Sequence, residues 1–193
     1  MRMFVAVVPP EEVVADLDAF LAVRRGAGEF RWTPAEHFHV TLAFLPDVAD
    51  RHLDELVERL GRAGARRTPF PARITRGGAF PNAARAKVLY AGVELDEAGH
   101  TELGRLATGT RAAASKAGTD VEGGRFRAHL TLARLGRPGE VTNWVRLLDG
   151  YGGPTWTVDE FALVASYLGE GPRKRPRYEV VETFRLGKVA VGE

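Results

Sequence analysis

Two histidines, His39 and His129, each stand two residues before a threonine, Thr41 and Thr131. The surrounding segments, His39-Val40-Thr41-Leu42-Ala43-Phe44-Leu45 and His129-Leu130-Thr131-Leu132-Ala133-Arg134-Leu135, agree at five of seven positions and are offset by 90 residues. Two imidazoles facing each other make a proton-transfer pair, because each has a reference pKa near ~6.5 and can be neutral in one copy and protonated in the other. Displacement at phosphorus needs that division: a base on the attacking water, an acid on the leaving oxygen, and hydroxyl donors for the non-bridging oxygens. One His-x-Thr in a strand is ordinarily a surface or satisfied-core pair. Two copies that also share Leu-Ala-x-Leu make chemistry the better reading.

Strand geometry decides where these side chains go, since residues i and i+2 share a face. His39 with Thr41, and His129 with Thr131, are expected to point into one groove. Phe38, Val40, Leu42 and Phe44, and in the second copy Phe126, Ala128, Leu130 and Leu132, are expected to form the opposite, apolar face under helices. The halves of the chain then read as two copies of one lobe about a pseudo-two-fold axis.

The remaining elements fit that plan. Strands are expected at 2–8, 37–45, 69–76, 86–95, 125–135, 155–168 and 177–186. Helices are expected at 11–24, after Asp50, at 97–117 capped by Asp96, and at 139–149, from apolar spacing and capping residues. Gly99, Gly104 and Gly109 weigh against the third helix. Strands and helices mix without a strict βαβ rhythm, which gives an α+β class with largely antiparallel sheets. With 193 residues the chain suits a single domain, residues 1–193.

Composition narrows the chemistry. The absence of cysteine excludes disulfides, thiolate zinc sites and cysteine nucleophiles. Net charge is only +2, so nucleic-acid binding would need local clustering of basic residues. The apolar start Met3–Val8 is too short for a signal peptide and ends at Pro9-Pro10, and no run reaches the length of a membrane span. A cytoplasmic protein is expected, with no membrane partner.

Further residues carry a resemblance: Met3-Phe4-Val5-Ala6, Trp32-Thr33-Pro34, Phe80-Pro81, Val88-Leu89-Tyr90, Phe126 to Arg134, Ser166-Tyr167-Leu168 and Arg177-Tyr178. With the paired His-x-Thr motifs, they resemble the 2H phosphoesterase superfamily, and within it the RNA 2′,3′-cyclic phosphodiesterases, historically called 2′-5′ RNA ligases (LigT-like). The resemblance implies a bilobal fold: two mainly antiparallel sheets around a central groove, helices outside. It also implies a monomer that opens a terminal 2′,3′-cyclic phosphate of RNA to a 2′-phosphate without metal or other cofactor. By the resemblance His39 is the proton donor to O3′ and His129 the acceptor from water, although the near symmetry of the motifs leaves the order open. Thr41 and Thr131 would hold the phosphate. Arg134 matches a phosphate- or ribose-binding arginine, but strict alternation turns it away from His129 unless the strand bulges. The family often has proline where Ala128 stands, and an aromatic for base stacking at the position matched to Val5, which leaves Phe80 as a substitute.

A second signal is the Gly/Pro-rich segment 169–177, with Arg173, Lys174, Arg175 and Arg177. It reads as a clamp on the RNA backbone or as a solvated hairpin tip. Other readings are a zinc hydrolase built on His37, His39 and His129, a non-catalytic RNA-binding module, an enzyme for small cyclic nucleotides, and ligation in the reverse direction.

Overall fold

The structure, a computed structural model, describes residues 1–188. β1 (Met3–Val7) is buried on both faces and stops at Pro9-Pro10, after which α1 (Glu11–Ala22) buries Val13, Leu17 and Leu21. The short β2 (Arg31–Trp32) and a 3-10 turn at Ala35–His37 lead into β3 (Val40–Leu45). α2 (Asp50–Ala65) and β4 (Phe70–Phe80) follow. Then β5 (Ala86–Glu94), α3 (Glu97–Lys116), β6 (His129–Gly139) and α4 (Thr142–Asp149) repeat the order of β1, α1, β3 and α2. β7 (Gly152–Val158), β8 (Glu160–Tyr167) and β9 (Arg177–Arg185) complete the described elements.

The strands run in the order β7-β4-β5-β6-β3-β1-β8-β9, every neighbour antiparallel, with β2 added to β6. The centre of this array is thin. β3 and β6 meet through one residue pair, Val40 with Leu130, so the array is two sheets hinged at the His-x-Thr strands, one of four strands and one of four plus the short β2. The expected bilobal, pseudo-symmetric α+β fold is therefore present. The lobes are not, however, the two halves of the sequence. β4 and β7 join β5 and β6, whereas β8 and β9 join β1 and β3. The segment expected as one strand at 155–168 is divided at Asp159 because the chain there leaves one lobe for the other. One apolar cluster runs through both lobes, from Met3 and Leu45 to Leu89 and Leu132.

Other boundaries shift for local reasons. The strand expected from 37 starts at Val40, because residues 35–37 turn, and that expected from 125 starts at His129. α2 is preceded by Ala49 with no side-chain cap, and Asp50 is its first helical residue. α3 has the cap expected: Asp96 accepts from the Gly99 amide at 2.6 Å. Residues 189–193 of the expected domain lie outside those described.

Candidate active site

Each motif strand carries the same irregularity. Val5 pairs with Ala43 but Ala6 with Thr41; Leu89 pairs with Ala133 but Tyr90 with Thr131. A bulge thus falls at Leu42-Ala43 and again at Leu132-Ala133. One inserted residue reverses the alternation beyond it. Leu42 and Ala43 are both buried, as are Leu132 and Ala133, and the next residue, Phe44 or Arg134, emerges on the face of the histidine and threonine. Phe44 is thereby corrected from the helix-covered face to the groove face, where Arg2 stands 4.3 Å over its ring. The bulge that Arg134 required is present.

The Val40–Leu130 pair brings the motifs together. Continued by one residue each way, its antiparallel register sets His39 opposite Thr131 and Thr41 opposite His129. His39 Nδ1–H donates to the His37 carbonyl at 2.6 Å, and His129 Nδ1–H to the Arg127 carbonyl at 2.7 Å. A carbonyl can only accept, so each neutral ring keeps its proton on Nδ1 and its lone pair on Nε2. The Thr41 hydroxyl donates to that lone pair on His39 at 2.9 Å.

Aromatic rings frame both imidazoles. Phe4 stacks on His39 at 4.5 Å, with Tyr178 edge-on at 5.9 Å. Phe80 meets His129 edge-on at 4.9 Å and stacks on Tyr90 at 4.5 Å. Tyr178 covers the ring of His37 at 4.0 Å. Burial pulls His39 from 6.5 down to about 4, against its bond to the His37 carbonyl, and the charges of His37, His129 and Arg134 add to the fall. His129 is lowered by burial and, against its bond to the Arg127 carbonyl, by Arg134. In the free protein near pH 7 both rings are neutral.

A cleft of about 360 Å³ opens beside the pair, lined by Thr41, His129, Phe44, Phe80, Phe126 and three arginines, Arg111, Arg125 and Arg127. Phe126, expected under a helix, borders this cleft while also packing against the core. Arg111 reaches from α3 to the Leu42 carbonyl at the first bulge (3.1 Å) and to the Gly124 carbonyl (2.8 Å). It ties the segment before His129 to the strand of His39.

A family model described as LigT like Phosphoesterase matches residues 7–90 and 93–173, one segment in each half of the chain. The chain belongs to the LigT-like phosphoesterase family. An RNA 2′,3′-cyclic phosphodiesterase of Thermus thermophilus is 34% identical over 196 aligned residues, covering 96% of this chain and 90% of that protein. One from Archaeoglobus fulgidus is 31% identical, covering 95% of this chain and 99% of its own length. Among solved structures, TT0787 of Thermus thermophilus superposes with a TM-score of 0.76 at 33% identity, over 98% of this chain and 100% of that one. LigT of E. coli in apo form gives 0.76 at 25% identity, over 97% and 98%.

Within this LigT-like frame the other expected site residues divide. Phe80 lies against His129. Arg175 is close enough to lower His37, after burial and against Glu36, whereas Arg173 and Lys174 project at the tip of the loop. Arg177 is engaged elsewhere: it pairs with Glu170 (3.6 Å) and Glu179 (3.4 Å) and lies over Tyr167 at 4.2 Å. The rival zinc grouping does not assemble, since His37 is stacked under Tyr178 and, among the described residues, no three His, Asp or Glu side chains converge. No helix among these residues is long and apolar enough to cross a membrane.

Sequence reasoning missed Phe4, Tyr90, Tyr178, Arg111 and Arg31. The expected aromatic position in β1 was Val5, but Val5 is in the core and Phe4 is the ring at His39. A strand buried on both faces offers no alternation from which to choose. Tyr90 and Tyr178 were legible as shared residues without a place. Arg31 lies directly across from Arg134 on β2, a like-charge pair that an anion would relieve.

Proposed function

We propose that this chain hydrolyses the 2′,3′-cyclic phosphate at an RNA end to a 2′-phosphate, with His39 and His129 as its acid–base pair. The observation that carries this reading is the junction at Val40–Leu130, with two histidines whose Nδ1 protons are fixed on carbonyls, so that proton exchange with a substrate falls to the Nε2 atoms, that of His39 accepting from Thr41 until the substrate takes the hydroxyl. The names of the relatives support the substrate. Thr41, Thr131 and Arg134 bind the phosphate oxygens; Phe80 offers a face to the terminal base, and Arg173, Lys174 and Arg175 hold upstream phosphates. Water attacks phosphorus as one imidazole removes its proton, the P–O3′ bond breaks, and the other imidazole protonates O3′. No metal is needed. The protein acts as a monomer in the cytoplasm; sedimentation and cell fractionation test these two points.

The resemblance makes His39 the donor. Its depressed pKa counts against that order, because a ring that seldom carries a proton near pH 7 is seldom ready to donate one. If His39 is the donor, its proton must arrive with the anionic substrate. A substrate with sulfur in place of the bridging 3′ oxygen decides between them, since a thiolate leaves without an acid. The alanine variant of the donor regains activity on that substrate, and the variant of the base does not. The reading as a whole is tested by incubating the purified protein with an oligonucleotide ending in a cyclic phosphate. A 2′-phosphate product, formed in the presence of chelator, is expected; no turnover, or a 3′-phosphate product, would overturn it.

A further inference from the structure

Arg67 after α2 pairs with Glu102 near the start of α3, and Gly118 after α3 lies beside His52 near the start of α2, so the two helices run antiparallel; the groove between them encloses about 550 Å³ and shares no lining residue with the cleft at the histidines. One wall carries Arg59, Arg62 and Arg66, the other His100, Arg105 and Lys116. Among the described residues no Asp or Glu lines it. Arg59 and Arg62 have partners, Glu55 and Glu58 one turn back on the exposed side of α2. Pairs of that kind contribute little and exchange readily for a better anion. Arg66, Arg105 and Lys116 are exposed and have no ion pair among the described residues.

Two features of the lining leave room and hydrogen-bonding capacity for an anion. Arg67, at the end of the groove, has a buried Nη1 without a hydrogen-bond acceptor, the nearest carboxylate oxygen on Glu102 standing 3.6 Å away. Gly104 sits inside α3, where glycine costs about 1 kcal/mol relative to alanine. A Cβ there would meet nothing within 4 Å, so packing does not require the glycine. Gly104 lines the groove, so its missing side chain leaves that stretch of the wall open.

The shape selects the class of ligand. From His100 to Lys116 the α3 wall runs for about 24 Å at a rise of ~1.5 Å per residue. A strand stacked at about 3.4 Å per phosphate sets about seven phosphates along it, more than one nucleotide can supply. A Cβ added at Gly109 would stand 3.8 Å from that of Ala63, in ordinary contact, so the two helices approach closely there and the groove between them is narrow. Such a groove admits a single strand.

We propose that the α2–α3 groove is a second binding site for the phosphate backbone of single-stranded RNA, separate from the catalytic cleft. Its choice of RNA over other linear polyanions rests on the function proposed above. The test uses the full chain and a fluorescent single-stranded oligoribonucleotide of about twenty residues with an ordinary 3′ hydroxyl, its affinity read by anisotropy at several salt concentrations. Replacing Arg66, Arg105 and Lys116 together by glutamine removes three contacts, and at about 0.7 per contact the slope of log K against log salt flattens by about 2. Turnover of a cyclic mononucleotide stays unchanged. Gly104→Leu should weaken RNA binding while holding or raising the melting temperature, because leucine is the better helix former. An unaltered salt slope in the triple variant overturns the proposal. So does loss of inorganic tripolyphosphate binding with RNA affinity intact, which would make the groove a site for small polyphosphates. A wild-type protein that binds RNA here yet leaves cyclic ends intact would count against the catalytic reading alone.

Discussion

Acidification tests the burial of His39 directly. In the unfolded chain this imidazole titrates near 6.5, and in the folded protein at about 4. At pH 7 both states hold it neutral, and its burial carries no penalty. As the pH falls through 6.5 the unfolded chain takes up a proton that the folded protein refuses until about 4. Stability present above pH 6.5 is therefore lost across that window, and at about 1.4 kcal/mol per tenfold change the loss approaches 3 kcal/mol. His37 and His129 are lowered too and push in the same direction. Denaturant unfolding at pH 7, 5.5 and 4 measures the total, and the difference between wild type and His39→Asn isolates the His39 share. Proton NMR of the imidazole Cε1–H gives the pKa itself. At pH 7 about one free molecule in a thousand should carry the His39 proton. Adding a 2′-nucleoside monophosphate should raise that pKa, since an anion among Arg134 and the threonines favours the imidazolium. A His39 pKa at or above 6.5 in the free protein would refute the reasoning.

His39→Ala and His129→Ala should each reduce turnover of a cyclic-phosphate oligonucleotide by about 10²–10⁴, and the double variant by far less than the product, because the two act as a unit; full activity in either would remove it from the chemistry. Thr41→Ala and Thr131→Ala should each cost about 2–4 kcal/mol in kcat/KM, with serine restoring most of it. If serine is as poor as alanine, the hydroxyls do not contact the phosphate. Charge removal at Arg173, Lys174 and Arg175 should weaken oligonucleotide binding and spare a cyclic mononucleotide, while Arg177→Gln, which breaks pairs with Glu170 and Glu179, should act on melting temperature instead; equal damage to both substrates would move the loop to the reacting phosphate.

The chain itself specified the repeated His-x-Thr strands, the chemistry two imidazoles and two hydroxyls can perform, and most helices and strands, because these depend on side-chain type and on spacing over a few residues. Asp96 at the start of α3 and the Leu56, Leu60 stripe of α2 are such local signals. The three glycines that weighed against α3 did not prevent it, since Leu103, Leu106 and Ala113 anchor it to the core. Tertiary structure alone decided what depends on partners distant in sequence. The bulges at Leu42-Ala43 and Leu132-Ala133 exist only as a mismatch with β1 and β5, and they turn Phe44 and Arg134 to the groove. The exchange of β4 and β7 against β8 and β9 between lobes has no local signature, for each strand is ordinary by itself. The pKa of His39 is likewise invisible in His-x-Thr. It comes first from burial, to which Phe4 in β1 and Tyr178 in β9 contribute, and then from the charges of His37 nearby in sequence and of His129 and Arg134 in β6, most of which only the folded sheet brings around one ring.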